Sequence, residues 1–93
     1  MADILPAVDT KTVTSAGTPE ALTTRDVQCT AVIITARTGN SGVIYIVDAT
    51  TTSKKWPADG LTAGQSATIN TNNPASIQID TDSNGDGVSW IAQ

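Results

Sequence analysis

Apolar residues in this chain recur at every second position or in short solid runs, and nowhere hold the period of a helix. The runs are cut by Gly, Pro, Asn and Asp at intervals of about 8–12 residues, which is the punctuation of an all-β domain. Residues 27–37 carry the strongest signal. Val27, Cys29, Ala31 and Ile33 fall on one face, and Gln28, Thr30, Val32 and Ile34 on the other. The first half of that run reads as half-buried and the second as buried on both faces. A Gly/Asn loop at 38–42 follows, and then Val43, Tyr45 and Val47 alternate with Ile44 and Ile46. Two β-prone runs around such a loop read as a hairpin.

The other expected strands lie near 11–16, 21–24, 66–70, 76–81 and 88–92. In the run 76–81, Ile77 and Ile79 are expected to point inward, and Gln78 and Asp80 outward. In the last run Val88 and Trp90 share a face. Residues 49–53 form a Thr/Ser loop, and Asp59-Gly60, Ala63-Gly64 and Asn72-Asn-Pro74 carry turn chemistry. Seven or eight short strands predict a single antiparallel β-sandwich or jelly-roll-like domain over residues 11–93. Residues 1–10, with Pro6, read as an N-terminal arm, frayed unless something holds it. Ile4 and Leu5 are the arm residues suited to docking on a partner.

The core must be built without help. The chain has 93 residues, no Phe, and Tyr45, Trp56 and Trp90 as its aromatics. A domain of this size buries only about 60–65% of its unfolded surface. Val, Ile, Leu and Ala must fill the interior. Cys29 is the one cysteine, so no disulfide can form within the chain. It reads as a small buried thiol, with an intermolecular bridge or a reactive thiol as the alternatives. Oligomerisation is the remaining way to deepen so thin a core. The opening residues lack a basic segment and an apolar one, and no stretch approaches the about 20 apolar residues of a membrane span. A protein made in a cytoplasm, with no membrane partner, is expected.

Composition also bounds the chemistry. The chain has no His, so a His-based triad and a His/Cys zinc site are excluded within it. Five Lys+Arg against nine Asp+Glu give a net charge of −4 with no basic cluster, which argues against general nucleic-acid binding. No phosphate-cradling motif occurs. The acids lie mostly in turns, with no cleft to set two of them across a sugar bond. Lys54 and Lys55 read as solvated lysines and not as bases for a serine nucleophile. No enzyme activity, no cofactor and no metal are expected.

The sharpest local motif is Asp80-x-Asp82-x-Asn84-Gly85-Asp86. It matches the first half of a calcium loop, with oxygen ligands at alternating positions. The twelfth position, where a closing Glu belongs, holds Ile91, and strands flank the loop. The plainer reading is a turn between two strands that uses Asn, Asp and Gly for their backbone freedom. Trp56, after two lysines and before Pro57, reads as core or subunit interface. At a surface it would stack on a sugar or anchor a partner.

Three segments together resemble a known module. They are Ala36-Arg-Thr-Gly-Asn-Ser-Gly-Val-Ile-Tyr-Ile-Val-Asp48, Gly60-Leu-Thr-Ala-Gly-Gln-Ser66 and Ile77-Gln-Ile-Asp-Thr-Asp-Ser-Asn-Gly-Asp-Gly-Val-Ser-Trp90. In order and spacing they resemble a small β-sandwich module of tailed-phage virion structural proteins, over roughly residues 27–92. Val47-Asp48 departs from it, where the module commonly ends its strand in Gly. The resemblance implies a virion component, most like a capsid decoration (cement) protein. Such proteins sit on the outer shell against the major capsid protein, often as homotrimers at local three-fold axes, after assembly in the host cytoplasm. It offers no catalytic residues. Ile4, Leu5 and Trp56 are then the candidate partner contacts. The alternatives are a carbohydrate- or receptor-binding module on the virion surface, which needs Trp56 or Tyr45 exposed beside polar loops, a connector or tail component, and a calcium-dependent stability module.

Overall fold

The computed structural model describes residues 4–48, 50–51 and 53–93. Eight strands follow one another: β1 (Ala7–Thr12), β2 (Glu20–Ala21), β3 (Ala31–Ala36), β4 (Ile44–Val47), β5 (Lys55–Leu61), β6 (Ser66–Asn70), β7 (Gln78–Thr81) and β8 (Gly87–Ala92). A single short 3-10 turn, Pro74–Ser76, is capped by the Asn73 side chain, which accepts from the Ala75 N–H at 3.0 Å. The strands form two four-stranded antiparallel sheets, in the orders β1-β8-β3-β6 and β2-β7-β4-β5. The expected all-β sandwich is what the chain builds.

The core lies between the sheets. Val32, Ile34 and Ala36 of β3, Val88, Trp90 and Ala92 of β8, Ile44 of β4 and Ile79 of β7 meet there, with Val13, Leu22 and Val27 closing it from the connections. In β3 and β8 these residues alternate with the outward Ile33, Thr35, Ser89 and Ile91, since successive side chains of a strand point to opposite faces. Trp90 takes the core place expected of it. Its indole N–H has no hydrogen-bond partner among the described residues, and the Arg25 guanidinium lies 5.7 Å from its ring centre.

Several local expectations change. The arm is shorter than residues 1–10. Ala7 to Thr10 belong to β1 and pair with β8, in the register Ala7↔Ala92 to Thr12↔Gly87. The strand expected at 11–16 is displaced to Ala7–Thr12, because β8 offers β1 a full ladder that begins at Ala7, and the one expected at 21–24 is reduced to Glu20–Ala21, paired with β7. Residues 1–3 of the arm, and Ala49 and Thr52 of the Thr/Ser loop, lie outside the described residues.

The expected hairpin between residues 27–37 and 43–48 does not form. β3 pairs with β6 and β8, while β4 lies in the other sheet between β5 and β7. The connection crosses the sandwich because residues far along the chain hold it. Asn40 exchanges two hydrogen bonds of 2.9 Å with the backbone of Gly87. The Asp86 carboxylate accepts from the N–H groups of Ser41 and Gly42 at 2.9 and 2.6 Å. The segment between β7 and β8 likewise joins two sheets and is not a hairpin turn. Residues 55–61, expected as loop and turn, are strand β5.

Sheet order also sets the sides of the domain. β1 and β2 lie on one flank, tied by the Lys11–Glu20 ion pair at 3.0 Å. β5 and β6 are the opposite edges of their sheets.

Candidate functional site

The acidic loop is the first candidate, and its groups are committed within the fold. Asp80, expected to point outward into water, is fully buried. Its carboxylate accepts from the N–H groups of Gly17 and Thr81 at 2.9 and 2.8 Å and pairs with Lys55 Nζ at 2.9 Å. Burial alone pushes this carboxyl up, but Lys55 and the two N–H groups outweigh it and hold it below its ordinary value. The Asp80 hydrogen bond in turn raises Lys55. Asn84 accepts from the Ala16 N–H at 2.7 Å, and Asp82 accepts from the Tyr45 hydroxyl at 3.4 Å. Burial first, and then Asp82, push that phenol up. Among the described residues no three potential ligands gather as a metal site would require. The oxygens that matched a calcium loop are spent on fastening the loops at 15–17 and 41–42 to the strands.

The second candidate is the outward face of the β1-β8-β3-β6 sheet. Register places Val8, Ile91, Ile33 and Thr68 side by side across its four strands. The next row is Thr10, Ser89, Thr35 and Ser66, and the last two share a hydroxyl–hydroxyl hydrogen bond of 2.7 Å. No outward strand position of this sheet carries a charged side chain, although the chain as a whole is at −4. A shallow hollow of about 390 Å³ opens over Val8, Ile33 and Ile91. Val8 is 59% exposed, and Ile4 and Leu5, directly before β1, are 90% and 40% exposed. The apolar arm thus leads into the edge strand that carries Val8.

Trp56 is the third candidate. It is 53% exposed, so it is not a core residue of the single chain. It stands on β5, across the width of the sandwich from Ile4 and Leu5. The structure therefore does not bring the three candidate contacts together. β5 departs from a regular ladder just after it: Trp56 pairs with Ile46 and Leu61 with Ile44, so four residues of β5 oppose Tyr45 alone. Bulges of this kind gather at sheet edges and re-aim side chains. Gly60, at φ +77°, makes this one possible, because a Cβ there would run into the Val43 side chain. The bulge leaves a hollow of about 500 Å³ between Trp56 and β6, with Asp59, Gln65 and Ser66 on its wall. Asp59-Gly60 could have pointed to this bulge, but as turn chemistry it read as the end of a loop.

Comparison of the chain with known protein families, with curated proteins and with solved structures returned no match.

Proposed function

We propose that this chain is a non-enzymatic structural protein of a tailed-phage virion, a capsid decoration protein that binds the outer shell. The observation that carries this reading is the uncharged outer face of the β1-β8-β3-β6 sheet, with Val8, Ile33 and Ile91 in one row and Ile4 and Leu5 at its edge. A contiguous apolar surface of this kind marks an interaction site. An acidic protein that keeps its carboxylates off one face can lay that face on another protein without desolvating charge. The likeness of residues 36–48, 60–66 and 77–90 to phage virion modules supports the same reading.

In this reading the major capsid protein is the partner and three copies gather at a local three-fold axis. The arm and the apolar row lie against the shell. Each copy adds buried interface across neighbouring shell subunits, at about 25 cal/mol per Å² of apolar area removed from water. The added contact resists the outward pressure of packaged DNA.

Sedimentation tests this. Shells lacking their outer protein are incubated with the purified chain and pelleted. The expected result is saturable co-sedimentation and a higher temperature of DNA release. Ile33→Asp and Leu5→Asp are expected to abolish both. A chain that stays in the supernatant at every concentration contradicts the proposal.

A further inference from the structure

We infer that the hollow beside Trp56 is a carbohydrate subsite that takes a neutral pyranose. An edge strand ordinarily guards itself with charge or proline and hides its large apolar groups. β5 carries such guards in Lys55, Pro57, Asp59 and its bulge, yet it leaves Trp56 53% exposed beside the four residues looped out of the ladder. The resulting hollow, about 500 Å³, falls within the range of about 300–1,000 Å³ of small-molecule sites. The arm lies on the far flank and does not cover it.

The chemistry of the wall selects the ligand. Trp56 and Pro57 supply an apolar surface, and an indole has one apolar body and one polar tip. Asp59 supplies two acceptor oxygens. The Gln65 amide oxygen already accepts from the Thr62 N–H at 2.9 Å, so the Nε2 end is what Gln65 offers a ligand. Ser66 adds a hydroxyl. A pyranose presents what this wall lacks: a face of C–H groups to lie on the indole, and a rim of hydroxyls that both donate and accept. No cation lines the hollow and Asp59 does, which disfavours an anionic sugar. A quaternary ammonium group calls for a cage of several aromatic rings, and Trp56 is the single ring here.

Nuclear magnetic resonance of the full chain tests the inference, with the buried Trp90 indole as an internal reference. The probes are cellotetraose, maltotetraose and tetra-N-acetylchitotetraose, with sialyllactose and tetramethylammonium chloride as charged controls. At least one neutral sugar is expected to shift the Trp56 indole and the Gly60 and Gln65 amides saturably, with Trp90 unmoved. Trp56→Ala is expected to abolish the shifts. Trp56→Phe, which keeps an aromatic face, is expected to retain weaker binding, and Asp59→Asn to weaken it about tenfold. No saturable shift with any of the three neutral sugars overturns the inference. So does a shift produced by a charged control alone, or binding undiminished in a Trp56→Ala protein whose Trp90 signal is native. The two tests are separable, because Leu5 and Ile33 of the shell-binding test do not line this hollow, although Ser66 belongs to both surfaces.

Discussion

Lys55 reaches from β5 over the Tyr45 ring of β4 to place its ammonium 2.9 Å from the Asp80 carboxylate of β7, spanning three strands of one sheet. The two partners are unequal. Asp80 is sealed from water, while a third of the Lys55 side chain is still exposed. That asymmetry decides what each substitution does.

Lys55→Met strands a buried carboxylate and is expected to cost about 3 kcal/mol. Asp80→Asn is expected to cost less, since its amide oxygen can still accept from Gly17 and Thr81 while Lys55 swings into solvent. The double variant is expected to recover part of the Lys55→Met loss. In Lys55→Met the Asp80 carboxyl rises above its unfolded value, so stability is expected to fall as pH increases through the carboxylate range. Urea unfolding of the four proteins at several pH values checks each point.

Glu20 gives a pH dependence of opposite sign. Lys11 above all, with help from Thr14 and Ser15, holds its carboxyl down from 4.5 to about 2. A depressed carboxylate contributes stability above its unfolded pKa and loses it as the folded one is approached. The melting temperature is expected to drop between pH about 4.5 and about 2. Glu20→Gln is expected to flatten that part of the curve, as calorimetry across the range will show.

Two glycines two residues apart are expected to respond differently to alanine. At Gly87 a Cβ would strike the Lys11 carbonyl of β1, and backbone in a ladder cannot step aside. At Gly85 nothing lies within 4 Å, and only its φ of +88° resists a side chain. Gly85→Ala is expected to cost about 1 kcal/mol. Gly87→Ala is expected to cost several times that and to loosen β1, seen as faster amide exchange at residues 8–12.

Asp86 fastens the crossing between the sheets. Asp86→Ala leaves the Ser41 and Gly42 N–H groups and the Thr81 hydroxyl without their acceptor. A loss of about 3 kcal/mol in urea unfolding is expected. Added calcium is expected to leave the melting temperature of the parent protein unchanged, because those oxygens are already engaged.

The sequence announced strands better than their partners. Residues 66–70 and 88–92 were legible because apolar and polar residues alternate at 66–70 and 88–90, with turn residues before each run. The same local rules made residues 27–48 look like a hairpin. Nothing local says that Asn40 and the N–H groups of Ser41 and Gly42 will find Asp86 and Gly87, some 45 residues away. Asp80 misled for a related reason: period-two alternation puts it outward, and only the Gly17 loop and Lys55 bury it. Lys55 to Leu61 carry Pro57 and Gly60, which mark a turn in isolation and an edge bulge when β4 lies alongside. Ile4, Leu5 and Trp56 were visible as large apolar residues, but their placement on opposite flanks follows from sheet order, which no local pattern encodes.

The central claim is that the uncharged sheet face and the arm beside it lie on a viral shell. Electron cryo-microscopy of shells incubated with the chain tests it most directly. The expected map has added density at regular positions on the outer surface, clustered about local three-fold axes, with the β1-β8-β3-β6 sheet toward the shell. Shells whose outer surface is unchanged at saturating protein would contradict the account.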